Sequence, residues 1–213
     1  MDLYFSPLAC SMATRIAFYE AGIDGNFIGV DTQAKKLADG SDFFAINTMG
    51  QVPVLRTDAG ELLTENPVVL QYVADQCPQS SLAPTDGIER YRLQQWLNFI
   101  TSELHKVVFI PLLDPTAPDA ARTYAREKAE RRFAHLNGRL DGRDFLLDHF
   151  TVADAYLVTV LNWARFVRLD LAKWPAVKSY FDRMIARPNV AKALGEEMTM
   201  YQEQQSRRAA AQK

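Results

Sequence analysis

Apolar residues change their period once along this chain, near residue 80. Before that point, short apolar runs alternate with segments of helical period. "DLYFS" (2–6) reads as a strand stopped by Pro7, because proline cannot donate to a sheet ladder. "CSMATRIAFYEAG" (10–22) reads as a helix that ends at Gly22, the residue that most easily takes the left-handed conformation closing a helix. "NFIGV" (26–30) is a second strand, and "KKLADGSDFFAIN" (35–47) reads as a weak helix or a loop. "PVLRT" (53–57) and "ELLT" (61–64) flank "DAG", the spacing and glycine of a hairpin. "ENPVVLQYVADQC" (65–77) is a helix with Pro67 in its first turn, where the missing N–H costs nothing. The order β-α-β-(α)-β-β-α predicts a small mixed sheet of four strands. The helical crossover makes the first two strands parallel, the hairpin adds antiparallel ones, and helices cover the faces.

After "PQSSLAPTDG" no strand pattern remains. "IERYRLQQWLNFITSELHKVVF" (88–109) is a long helix, with Trp96, Ile100 and Leu104 recurring every four residues. "DAARTYAREKAERRFAHLNGRL" (119–140) is a second helix, charged over much of its surface. "TVADAYLVTVLNWARFVRL" (151–169) is the most apolar and is expected at the centre of a bundle. Thr151 and Asp154 at its start have capping-box spacing, with Phe150 and Ala155 at the staple positions. "AVKSYFDRMIAR" (176–187) and "NVAKALGEEM" (189–198) add two helices, and the polar tail "QEQQSRRAAAQK" is expected to fray. The expected organisation is an α/β domain over 1–78, a linker over 79–87 and an all-helical domain over 88–213.

Composition narrows the function classes. The 213 residues suit one large domain or two small ones, and 48% hydrophobic with 23% charged residues is ordinary for a globular protein. A formal net charge of -2 gives no basic field to hold nucleic acid. No apolar run approaches the roughly 20 residues of a membrane span. "MDLYFSP" has neither a basic start nor a long apolar stretch, so no secretory signal is expected. Two cysteines, Cys10 and Cys77, make no disulfide framework and suit a reducing, cytoplasmic compartment. The histidines are scattered without zinc spacing and no glycine-rich phosphate loop is present, so no metal is expected.

Four segments carry candidate chemistry. Cys10 stands where the first strand hands over to the first helix. A thiolate there is favoured by helix N–H groups, which can lower a cysteine pKa from about 8.5 into the ~3.5–7.5 range; a small buried thiol that merely packs fits the position equally well. Ser11 is an alternative active hydroxyl. In "GQVPVL" (50–55), a cis Val52–Pro53 bond would turn the Val52 backbone outward to pair with an extended peptide, although trans is the commoner isomer. In "LLTENPVV" (62–69), Glu65 suits an ammonium and Asn66, heading a helix, suits a carboxylate; a ligand with both groups at one end is an amino acid, and the competing reading is a plain helix cap. In "NFITSELHK" (98–106), Asn98, Ser102 and His105 at i, i+4 and i+7 share one face of a regular helix, lining either a cleft or solvent.

These segments in this order resemble the cytosolic glutathione transferases, most closely the bacterial beta class. The likeness runs from "LYFSPLACS" through "TMGQVPVL", "LLTENPVVLQYVAD", "WLNFITSELHK" and "HFTVADAYL" to "RPNV". It implies a thioredoxin-like N-terminal domain followed by a helical bundle, in a homodimer, with glutathione as co-substrate. Cys10 matches the beta-class active-site cysteine, which can hold glutathione as a mixed disulfide. Val52 matches the residue whose backbone pairs with the cysteinyl part of glutathione. Glu65 and Asn66 match the pair gripping its γ-glutamyl end, and Lys35 a residue reaching its glycine carboxylate. Asn98 and the stretch Ser102, Glu103, Leu104 and His105 match contacts from the helical domain, some crossing to the partner subunit. His105 matches a histidine near the thiol, with a catalytic role beside Cys10.

The chain departs from the family at two places. Position 66 is Asn where Ser or Gly is common, and Pro67 follows it. Position 5 is Phe where Tyr is frequent, which strengthens the case for Cys10. The implied activity is attack of glutathione thiolate on a small hydrophobic electrophile, held against Phe109, Leu112, Trp163 and Phe166, with thiol–disulfide exchange through Cys10. Two rivals are a glutaredoxin-like reductase and a non-catalytic binding module of the same fold.

Overall fold

The structure is a computed structural model and describes residues 1–211. It divides into two compact units: Met1–Ser80 together with the chain from Arg187 onward, and Ser81–Ala186. This division departs from the sequence reading in that the last helix groups with the sheet and the stretch read as a linker over 79–87 is divided between the units after Ser80.

In the first unit, β1 (Asp2–Phe5) pairs in parallel with β2 (Asn26–Asp31), with Leu3 opposite Phe27. The crossover between them is α1 (Met12–Ala21), closed by Gly22 at φ 65. β4 (Val54–Arg56) pairs antiparallel with β1 and with β5 (Leu62–Thr64). The parallel pair and the hairpin are thus as the pattern predicts. The sheet nevertheless has five strands rather than four, in the order β3-β2-β1-β4-β5. The added strand, β3 (Lys36–Leu37), lies in the stretch read as a weak helix or loop. Two residues are too few to show a period. A turn over Asp39–Ser41, where Asp39 accepts from the Ser41 N–H and hydroxyl, leads on to a single 3-10 turn at Phe43–Ala45.

Alternation along β1 sends neighbouring aromatics to opposite faces. Tyr4 joins Val30, Phe43 and Val54 in one buried cluster. Phe5 meets Phe27 edge-on, and Phe27 meets Phe18 of α1. α2 (Asn66–Asp75) packs on α1, and its Val69, Leu70, Val73 and Ala74 are buried. Each fully buried Val or Leu side chain is worth about 1.5–3 kcal/mol over an exposed one. α8 (Pro188–Ala211) also packs on α1. It runs through the tail expected to fray, and Arg208 pairs with Asp31 at 2.9 Å; the last two residues of that tail lie outside the described ones.

The second unit is helical. α3 (Gly87–Phe99), a π-helical stretch at Ile100–Phe109 and α4 (Ile110–Leu113) form one long rod. α5 (Asp119–Leu140) has the predicted bounds, with Ala125, Ala129, Phe133, Leu136 and Leu140 on its buried stripe. All ten residues of α6 (Val152–Leu161) are buried, as expected of a central helix. It is shorter than its sequence pattern, because Asn162–Phe166 tightens to 3-10 geometry. The capping box is present: Asp154 accepts from the Thr151 N–H at 2.9 Å, and Thr151 accepts from the Ala153 N–H at 3.3 Å. α7 (Pro175–Ile185) closes the unit.

Candidate active site

The loop from β1 to α1 is closed by its own polar groups. Ala9 N–H donates to Ser6 O at 3.0 Å, and Ser11 Oγ both accepts from Ser6 N–H and donates to Ser6 O. Ser11 is wholly buried by these bonds, which removes it as an active hydroxyl. Cys10 is partly exposed, and its Sγ donates to Val52 O at 3.2 Å. Cys77 is buried. Cys10 lies one residue before the N-cap Ser11. The Met12 and Ala13 N–H groups, which the sequence expects to face the thiol, donate instead to Ala9 O and Cys10 O. The favourable field of the helix end then reaches the thiol without those two direct bonds.

Val52–Pro53 is cis. The turn before it is held by Lys35, whose Nζ donates to Gly50 O at 2.8 Å. Gly50 sits at φ 60, where a side chain would be strained, and a Cβ there would stand 2.8 Å from Phe44 Cε1 and 3.1 Å from Lys35 Cδ, so both side chains would have to shift. Lys35 itself has φ 57.

Glu65 is exposed and makes no side-chain cap bond, so the plain-cap reading fails for it. Its backbone stands at φ 66, ψ 119, a sparsely populated conformation for a residue with a Cβ. Asn66 is 4% exposed, and its Nδ2 donates to Cys10 O at 2.9 Å. The sequence offers that amide to a carboxylate; in the structure it braces the Cys10 loop. Its Oδ1 is buried without a hydrogen-bond partner. Cys10, Val52 and Asn66 are thereby joined directly, while Lys35 holds Gly50, two residues before Val52.

The residues expected from the helical domain part company. Asn98 and Ser102 are exposed, each bonded back to the carbonyl four residues earlier, Gln94 and Asn98. His105 is buried instead. The shared polar face is therefore absent, because π winding turns less per residue than the 3.6-residue helix on which the spacing argument rests. A 2.7 Å hydrogen bond joins His105 Nδ1 to Tyr156 OH, and Trp163 packs against the ring at 4.8 Å. Burial, helped by Lys106, lowers the His105 pKa to about 3, so the ring is neutral at physiological pH. Glu103 pairs with Arg132 at 2.6 Å within the chain. Leu104 and Phe109 have no exposed surface, and Phe109 packs between Phe133 and Trp163. Both serve the core, and neither side chain can touch a ligand in this arrangement. Trp163 is 5% exposed and Leu112 half-buried, while Phe166 is exposed.

Tyr156 as the His105 partner escaped the sequence reading, since it looks like one more apolar residue of α6. Among the described residues no group of three or more His, Cys, Asp or Glu could hold a metal ion, and no helix is long and apolar enough to cross a membrane.

Residues 9–76 match the family described as glutathione S-transferase, N-terminal domain, and residues 100–188 the glutathione S-transferase, C-terminal domain. The chain belongs to the glutathione S-transferase family. It is 41% identical over 199 residues to glutathione S-transferase GstA of Escherichia coli O157:H7, covering 92% of this chain and 98% of that one. Its fold is similar to a bacterial beta-class glutathione S-transferase of Sphingomonas chungbukensis, with TM-score 0.88 and 41% identity, covering 92% of this chain and 98% of that one. It is equally close, at TM-score 0.88 and 44% identity with the same shares covered, to a sphingomonad glutathione S-transferase complexed with glutathione. The likeness to the beta class read from the motifs stands.

Proposed function

We propose that this protein catalyses attack of glutathione thiolate on small hydrophobic electrophiles and exchanges thiols and disulfides through Cys10. The observation that carries this reading is the contact of the Cys10 thiol with the Val52 carbonyl, braced by Asn66. A peptide ligand paired with the Val52 backbone in the manner of a sheet edge would bring its own sulfur beside Cys10. The Val52 oxygen has two lone pairs, so accepting from a ligand N–H does not require it to release Cys10. Glu65, exposed and uncapped, and the Asn66 backbone N–H at the start of α2 suit an α-amino acid end. Lys35 suits a carboxylate at the opposite end, on giving up Gly50 O. The similarity to a structure complexed with glutathione supports this ligand.

His105, being neutral, serves as a hydrogen-bond donor or acceptor near neutral pH and not as a carrier of charge. Exchange through Cys10 is the thiolate attacking one sulfur of glutathione disulfide. The Cys10–sulfur bond forms as the disulfide breaks, and glutathione thiolate leaves. Conjugation of an aryl halide and reduction of a mixed disulfide, each measured for wild type and Cys10→Ala, test the reading. Both activities are expected in wild type. In Cys10→Ala, exchange is lost and conjugation changes in kcat more than in KM. Absence of both activities in wild type, with no retention on immobilised glutathione, would leave the non-catalytic module. Exchange without conjugation would leave the glutaredoxin-like reductase.

A further inference from the structure

A buried acid on the last helix reaches the loop that carries the thiol. Glu197 of α8 has no exposed surface. Its Oε2 accepts the Leu8 backbone N–H at 2.7 Å, and its Oε1 accepts from Arg15 Nε at 2.9 Å. Leu8 is two residues before Cys10 and stands at φ 59, in the left-handed region that a leucine seldom occupies. Arg15, 2% exposed, lies between the Phe5 and Phe27 rings, 4.3 and 4.1 Å from their centroids. Its Nη1 reaches Glu196 at 3.3 Å, and the Tyr19 hydroxyl also donates to Glu196. Lys192 of α8 lies over the Tyr19 ring.

A turn whose N–H is anchored on a buried carboxylate has fewer positions available than one anchored on water. The residues after it, Ala9 and Cys10, inherit that restriction. We infer that Glu197 is a positioning residue for Cys10: through the Leu8 N–H it fixes the loop, so that the thiol meets the Val52 carbonyl and the start of α1. This deepens the reading of Cys10 as the site thiol and rests on it.

The groups facing Glu197 are Arg15 from α1, the Leu8 N–H, and Glu196 on its own helix. Burial raises the Glu197 pKa, Arg15 and the Leu8 N–H draw it back, and the balance lies at about 7. Above that pH the anion holds Leu8 through a charge-assisted bond, which is the stronger kind. Below it the acceptor is a neutral acid and the hold weakens.

The test is the rate of Cys10 alkylation by iodoacetamide between pH 5 and 9, in the full chain with Cys77→Ser. It needs no glutathione, so it can fail separately from the proposed activity. The wild-type profile is expected to carry an inflection near 7 in addition to that of the thiol itself. Glu197→Gln should remove the inflection and slow alkylation at pH 8 by about tenfold, the effect of one charge-assisted bond. A Glu197→Gln variant that melts earlier yet has an unchanged or faster rate and the same profile would show a merely structural clasp and overturn the inference. If that variant fails to fold, the wild-type Leu8 amide resonance decides. It should titrate near pH 7 together with the extra inflection, and an amide that does not respond between pH 5 and 9 overturns the inference.

Discussion

Glu65 and His105 show how a single residue's surroundings separate binding from chemistry. Glu65 makes no cap bond, so a neutral isostere costs the fold little; surface changes of this kind usually stay within about 0.5 kcal/mol. If the carboxylate grips an ammonium both before and during reaction, its binding is uniform and appears in KM alone. Glu65→Gln is then expected to raise KM for glutathione about tenfold to hundredfold, the equivalent of about 1.5–3 kcal/mol, with kcat and melting temperature nearly unchanged. An unchanged KM in steady-state kinetics would remove Glu65 from the site. His105 makes a prediction of opposite kind. Its pKa falls from 6.5 to about 3 on folding, so below about 6.5 the unfolded chain binds a proton that the folded ring refuses. The stability this ring contributes is fully present above 6.5 and is lost as the pH falls from there toward 3, by up to about 1.4 kcal/mol per unit. Ring resonances followed by NMR should stay those of neutral imidazole down to pH 5, and a midpoint near 6.5 would contradict the burial argument.

At the scale of elements, the caps and braces decide where the chemistry stands. Asp154 is wholly buried and accepts from the N–H groups of Leu146 and Thr151, from Thr151 Oγ1 and from Tyr180 OH. It therefore ties the start of α6 to the preceding loop and to α7. Asparagine has one acceptor oxygen and turns an N–H₂ toward donors. Asp154→Asn should cost about 2–4 kcal/mol, from the donors left without partners in the interior. Thermal or urea unfolding checks this, and a loss below about 1 kcal/mol would mean that the capping box does not organise the bundle. Any fall in activity of that variant should follow the folded fraction and not kcat per folded molecule. In the first unit the braces are tertiary. Lys35 on Gly50 and Asn66 on Cys10 hold two loops that have no regular structure of their own.

For the whole molecule the open matter is assembly. We propose a homodimer. Met49 in the first unit and Ile88 and Tyr91 in the second are each more than half exposed, at 71%, 64% and 68%. Exposed apolar residues on both units suit a chain that buries them against a second copy. Asn98 and Ser102 are exposed and Glu103 pairs with Arg132 at the surface, so this stretch suits contacts that cross to the second copy. Sedimentation equilibrium should report about twice the 24.1 kDa chain mass at micromolar concentration, and a monomer there would end the proposal. Charged replacements at Ile88 and Tyr91 should shift the equilibrium toward monomer without unfolding the chain.

The sequence by itself determined which elements form and in what order. The parallel β1–β2 pair, the hairpin, α5 with its bounds, the capping box and the motifs that mark the family all follow from patterns confined to a few neighbouring residues. Periodicity, caps and turn residues act over one or two turns, so one chain suffices to read them. Only the tertiary structure decided the rest. Glu65 at positive φ, the cis Val52–Pro53 bond and the π winding that takes His105 away from Asn98 and Ser102 are conformations that several local sequences permit and that surrounding packing selects. Asn66 meets the Cys10 carbonyl across 56 residues of sequence, and Glu197 meets Leu8 across 189. Such partners leave no periodic trace. A buried Glu on α8 reads as one more charge in a polar helix until the fold sets the Leu8 backbone N–H and Arg15 against it, and burial makes those bonds worth forming.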